Sequence, residues 1–284
     1  MSDSASTCAN CGDVLAGEFC SRCGQQAIDL HRPFSSLVSD AVGDILNLDT
    51  RLARTLHPLM LKPGQVAKDV IAGRRAAHVP PLKSYLIAAL IFFGLFTIFP
   101  SRAPVRVFVQ GSPEQEKARN EGGSRTTFSL PPHISYYDDW YQGAVARAMK
   151  QPEAFAHAVY ANVPRAFFFL VPVFALFLEL LYRKQGYLID HLVFALYYHA
   201  FVFLDFSLLF LAARSGAYVT GIGAAVLALA LTGWLFAYLP IALRRVYGGS
   251  RLTTSLKFAT LGVLYVFAFF AAAPVIFGAA LLQF

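Results

Sequence analysis

The stretch L-I-D-H-L-V-F-A-L-Y-Y-H-A-F-V-F-L-D-F, residues 188–206, decides how this 284-residue chain is read. It has the length and apolar character of a membrane crossing, for which about 20 residues are needed to span a hydrocarbon core of about 30 Å. Yet Asp190, His191, His199 and Asp205 lie within it, with Tyr197 and Tyr198 between them. On a helix these groups spread over about half the circumference, and Tyr198 and Asp205, seven apart, fall nearly in line. Charged groups in lipid are costly unless they face protein, water or a partner, so this segment is expected inside a helical bundle.

Working outward, the segment extends over Leu188–Ala212, and four more apolar segments accompany it: Leu82–Phe99, Ala166–Tyr182, Val219–Leu243 and Leu256–Leu282. Composition agrees, with 56% hydrophobic residues and 14% charged, against about 25% charged in soluble domains. The expected fold class is an all-α membrane protein of about five transmembrane helices. Basic residues then set the orientation. Arg74, Arg75 and Lys83 precede the first span, Arg183 and Lys184 follow the second, and Arg244, Arg245, Arg251 and Lys257 sit between the fourth and fifth. With an odd number of crossings all three groups fall on one side, which puts the N-terminus in the cytoplasm and the C-terminus outside. The net charge of +7 is thus spent on topology. The first 83 residues hold nine Lys/Arg against eight Asp/Glu, which is not the basic face of a nucleic-acid binder, and no nucleic-acid partner is expected.

Four cysteines stand near the N-terminus as two C-x-x-C-G knuckles, Cys8 and Cys11, then Cys20 and Cys23, each closed by a glycine, Gly12 and Gly24. A C-x-x-C pair brings two thiolates to one ion, and the glycine allows the turn that aims backbone N–H groups at sulfur. Two pairs complete a closed Cys₄ sphere with no open position for water or substrate, the structural kind of site. Disulfides and an iron–sulfur cluster are the alternatives. The surrounding residues are polar, with no apolar stretch of the secretory type, and the duplicated knuckle suits zinc better than either. About 20 residues cannot bury enough apolar surface to fold alone, so bound metal would supply the folding energy.

Phe34, Leu37, Val38, Ala41, Val42, Ile45 and Leu46 recur at helical spacing and predict an amphipathic helix. Its other face carries Asp40 and Asp44, so packing on the protein itself or on a second subunit is expected, not docking on anionic lipid. A second helical stretch, Leu52–Leu61, is expected to be interrupted by Pro58, and residues 62–83 read as a basic connector ended by Pro80-Pro81. Residues 100–163 form an outer loop whose polar run, Gly111–Thr127, reads as flexible. The aromatics of Tyr136–Asn162 suit a segment lying at the membrane interface.

No nucleophile elbow, metalloprotease helix, Walker loop or dinucleotide fingerprint occurs, so no catalytic residue is assigned and the chain is not expected to be an enzyme. The polar face of residues 188–206 has three readings, the least favoured being a second metal on Asp190, His191 and another residue, since neighbours on a helix diverge by about 100°. The face can also line a proton or ion path. Alternatively Asp190, His191 and Glu179 are wet or paired with Arg183 and Lys184 at the interface, while His199 and Asp205 bond across helices. Gly221, Gly223, Ala224, Ala225 and Gly262 let helices approach closely, which suits oligomers.

The knuckles and the glutamine that closes them, F-C-S-R-C-G-Q, are followed by R-T-L-H-P-L-M-L-K-P-G-Q-V, by I-A-G-R-R-A-A-H-V-P-P-L-K-S-Y-L, and later by D-H-L-V-F-A-L-Y-Y-H-A-F. Together these resemble a bacterial family of zinc-ribbon, multi-span inner-membrane proteins classed as a domain of unknown function. The resemblance covers most of residues 8–99 and 186–204. It implies a bacterial inner membrane and a structural zinc on Cys8, Cys11, Cys20 and Cys23, and it supplies no activity. The expected organisation is a zinc ribbon at residues 1–30, cytoplasmic juxtamembrane helices with the basic connector at 31–81, and a transmembrane domain at 82–284 with an extracytoplasmic loop at 100–163. The function expected is a membrane-anchored interaction or assembly module, with membrane lipid and another membrane or cytoplasmic protein as partners. The alternative is a small proton- or ion-coupled transporter using Asp190, His191, His199 and Asp205.

Overall fold

The computed structural model describes residues 7–25, 51–99, 132–215 and 221–283. Within them the regular structure is helical: α1 (Leu52–Leu61), α2 (Gln65–Ile71), α3 (Pro81–Ile98), α4 (Pro132–Lys150), α5 (Pro152–Tyr182), α6 (Leu188–Ser215), α7 (Gly221–Tyr247) and α8 (Arg251–Leu281). Among the described residues there is no strand; Thr7 and Val14 form an isolated antiparallel bridge, and Phe19 is a further bridge residue. The expected helix at Phe34–Leu46 and the polar run at Gly111–Thr127 lie outside the described residues.

Four helices, α5 to α8, are long and apolar enough to cross a membrane. The first expected span is a helix too, but α3 has 18 residues, about 27 Å at 1.5 Å per residue, just under a full crossing. Its start is set by Pro80-Pro81: proline fixes the first-turn dihedral and needs no N–H there. Tyr136–Asn162, the segment expected at the membrane interface, comprises most of α4 and the start of α5, joined at Gln151.

The chain divides into two compact units. In the first, residues 1–99 and 167–269, α6 is the inner helix. Phe203 of α6 meets Tyr85, Phe92 and Phe93 of α3 and Phe167 of α5, with ring centroids 5.3–5.7 Å apart. Tyr198 stacks on Phe174 of α5, and Phe201 on Tyr238 of α7. Val79, just before α3, bonds Tyr197 of α6, and Phe99, just after it, lies under Arg214, so α3 and α6 run parallel. Rings of α5 and α7 meet α6 in the reverse order, which makes both antiparallel to it. In the second unit, residues 100–166 and 270–284, Ala144, Ala148 and Leu281 form a small buried cluster with Val145 and Phe155 against it, and Phe155 meets Phe277.

Local signals place the helix ends. Asp190 accepts the Tyr187 backbone N–H at 2.9 Å, the reciprocal half of a capping box at the start of α6. Ser250 caps α8 by accepting the Thr253 N–H at 3.2 Å. Pro58 sits inside α1 without breaking it.

Candidate metal centre and its mount on the bundle

The two knuckles fold alike. Cys8 N–H donates to the Asp13 carbonyl at 2.7 Å and Gly12 N–H to the Cys8 carbonyl at 2.8 Å; Cys20 and Gln25, then Gly24 and Cys20, repeat these bonds at 2.9 and 2.8 Å. Gly12 and Gly24 both take positive φ, 77° and 70°, a conformation other residues adopt only at a cost of about 1–2 kcal/mol. The result is one cluster in which all four sulfurs lie within 4.8 Å of one another. Cys8 and Cys23 stand 3.6 Å apart, Cys11 and Cys20 3.5 Å. A disulfide would bring sulfurs to about 2.05 Å, whereas a tetrahedral thiolate site with metal–sulfur bonds of about 2.3 Å separates neighbouring sulfurs by about 3.8 Å. The arrangement can hold a metal ion. The thiols are at odds without one: the Gln25 backbone N–H draws Cys23 down to about 6. Cys11 goes up to about 12, because burial and the three neighbouring sulfurs outweigh the Asp13 backbone N–H. A cation among them would favour all four thiolates at once.

Gln25, the residue after the second knuckle, mounts this cluster on the connector. Its Nε2 donates to the Gly73 carbonyl at 2.8 Å, and its Oε1 accepts the Arg75 and Ala76 backbone N–H groups, both at 3.0 Å. A Cβ on Gly73, whose φ is +87°, would stand 2.8 Å from Ala9 Cβ, so the loop and the first knuckle touch here. Beside the loop, Asp69 takes Arg74 and Gln65, with His78 Nε2 at 3.3 Å. Partial burial works against ionisation of Asp69, but these donors and the guanidinium hold its carboxyl below the ordinary range.

The connector is in turn fixed to the bundle. Residues 62–83 read as a basic linker in the sequence, but they contain α2 and are held by side chains from the long helices. Thr55 Oγ1 accepts the Val79 N–H at 2.9 Å, and Tyr197 donates to the Val79 carbonyl at 2.6 Å. From α7, Trp234 donates to the Met60 carbonyl and Tyr238 to that of Leu59, each at 2.8 Å, and Arg245 donates to that of Pro63 at 2.6 Å. Between them Ala242 packs on Gly64, where a Cβ would come within 2.9 Å of the Ala242 backbone. Three of these carbonyls belong to the end of α1 and its turn, which have no partner in the helix ladder. Trp234, Tyr238, Ala242 and Arg245 recur at helical spacing, which is the sequence signal for this face; Gln25 has only its place after C-G as a signal.

The expected intramembrane set does not gather into one site. Asp190 is a helix cap. His191 is fully buried, its Nδ1 2.8 Å from the Tyr247 hydroxyl and its Nε2 facing Glu179 at 3.3 Å without hydrogen-bond alignment. One reading of the sequence has Glu179 wet or paired with Arg183 and Lys184; in the structure it faces His191. Lys257 instead spans this end of the bundle, donating to the Leu181 carbonyl at 2.6 Å and lying 3.9 Å from the Tyr182 ring. His199 bonds the Ala195 carbonyl of its own helix at 2.8 Å and the Tyr265 hydroxyl of α8 at 2.6 Å, the cross-helix bond expected of it. Asp205 differs from that expectation: both its carboxylate oxygens are buried without a hydrogen-bond partner.

No curated protein and no solved structure matches the chain. A family profile described as a protein of unknown function, DUF3667, matches residues 49–93, so this domain is the segment that comprises α1, α2, the loop under the cysteine cluster and most of α3.

Proposed function

We propose that the chain is a multi-pass bacterial inner-membrane protein, N-terminus in the cytoplasm, that serves as a membrane-anchored interaction or assembly module with a structural zinc ribbon. Zinc on Cys8, Cys11, Cys20 and Cys23 would act as a strut, since four sulfurs leave no coordination position for chemistry. In this reading α3 completes a set of five spans, its short length made up by α1 and α2 packed against α6 and α7. The reading includes no enzymatic activity.

The observation that carries it is the Gln25 mount. A ribbon pinned to Gly73, Arg75 and Ala76 presents one fixed face beside the membrane domain, which is what a docking surface needs. The test is recovery of co-purifying protein from membranes solubilised in mild detergent. A specific partner should be recovered with the native chain and lost with Cys20→Ser, while membrane insertion is unchanged. Recovery that survives the substitution would contradict the ribbon's role, and labelling of the N-terminal cysteines from the periplasm would contradict the orientation.

A second reading, proton- or ion-coupled transport, is favoured by Asp205 alone. Both nitrogens of His199 are engaged, but a buried carboxyl with neither oxygen bonded has no structural role in view. Proton uptake by reconstituted vesicles that disappears with Asp205→Asn would support this reading; equal flux with and without the protein would end it.

A further inference from the structure

Arg54 and His57 of α1 and Lys62 at its C-terminal end face one open cleft that the interaction reading does not use. The depression lies around Pro58. That residue has no N–H to return to the Arg54 carbonyl, and Ala53, Arg54, His57, Pro58 and Lys62 line the open depression. All three basic side chains are exposed. The sequence around them is one-signed: from Arg51 to Lys68 there are four Lys/Arg and His57, and no Asp or Glu. The next acid, Asp69, is already held by Arg74 and His78.

Apolar side chains are exposed on α1 and on the helix it is tied to. Met60 and Leu59 tie the same helix to Trp234 and Tyr238 of α7, a helix apolar and long enough to cross a membrane. Leu61, next to Lys62, is 61% exposed, and on α7 Phe236 and Ile241 are exposed as well. Arg54, Lys62 and the His57 imidazole, on a helix that also exposes Leu61, complement an anion that carries hydrocarbon. A soluble anion would use the cations and leave Leu61 in water.

We propose that this cleft is a binding site for the phosphate headgroup of an anionic phospholipid, with Arg54, His57 and Lys62 around the phosphate and Leu61 at the acyl side. The site requires the long helices to lie in a bilayer. It requires neither zinc on the cysteines nor a protein partner, so its failure and theirs are separable.

Native mass spectrometry of the full chain in mild detergent tests it, with phosphatidylglycerol, phosphatidylcholine and inorganic phosphate as probes. Phosphatidylglycerol is expected to stay bound where phosphatidylcholine is shed. Inorganic phosphate at equal concentration should not displace it. At about fivefold per cation, Arg54→Gln should weaken phosphatidylglycerol about fivefold and the double variant Arg54→Gln/Lys62→Gln about 25-fold. Both side chains are exposed, and the single variant stands as the reading if the double does not fold. Equal retention of the two lipids, displacement by inorganic phosphate, or unchanged phosphatidylglycerol binding by the variant measured would each overturn the proposal.

Discussion

Helices α6 and α8 are both long and apolar enough to cross a membrane, yet 56% of the apolar stretch of α6 is buried inside the protein and 6% of that of α8. The more apolar of the two is the exposed one. In water that order would be reversed, because burial there follows apolar area. In lipid an apolar side chain gains little by leaving the hydrocarbon, and a polar one gains much by finding a partner. Helix α6 is inside because it carries His191, Tyr197 and His199, whose partners are Tyr247, the Val79 carbonyl and Tyr265. Helix α8 turns Val263, Val266 and Phe267 outward and contributes mainly Lys257 and Tyr265 to the interior.

The strongest contrast should come from two glycines. Gly64 has φ +72° and no room against Ala242, so Gly64→Ala adds a left-handed backbone cost of about 1–2 kcal/mol to an overpacking cost of about 1–3 kcal/mol. Gly262 of α8 has nothing within 4 Å of the point where a Cβ would stand, and Gly262→Ala should stabilise by about 0.5–1 kcal/mol through helix propensity. Thermal unfolding in detergent should therefore shift in opposite directions; a shared sign would break the comparison. Next in size, Phe201→Ala removes a fully buried ring stacked on Tyr238 and should cost about 3 kcal/mol or more. Phe267→Ala, at a ring 74% exposed, should stay within about 0.5 kcal/mol by the same measurement. Tyr197→Phe leaves the Val79 carbonyl without its donor, at about 1–3 kcal/mol, and should speed amide exchange around Val79 more than elsewhere. The smallest effect is expected at Asp69. Its carboxyl sits below the ordinary value of 3.8, so its contribution is full above that pH and is lost as pH falls through the lowered value. Exchange in the Arg74–His78 loop should rise only on that acid side; a rise near neutral pH would point to another group.

Much of this is legible in the sequence, for reasons that differ by region. The long apolar runs predict α5 to α8 because length and composition suffice for a crossing. The polar interior of residues 188–206 predicts which helix is innermost, because intramembrane polar groups have few places to go. The cysteine knuckles predict their own cluster through spacing alone. The mount is not legible. A basic linker and a packed one share the same composition, and what separates them is backbone carbonyls at Leu59, Met60, Pro63 and Val79, which carry no sequence signal of their own. Nor does the sequence show that Glu179 faces His191, because the two lie on different helices, α5 and α6.

The most direct measurement is the metal content of the full chain purified in mild detergent. The account predicts zinc in a one-to-one ratio with protein, lost in Cys20→Ser, with the Gly73–Ala76 loop exchanging faster as Gln25 is released. Protein recovered folded and free of metal, or zinc lost without any change in that loop, would contradict it.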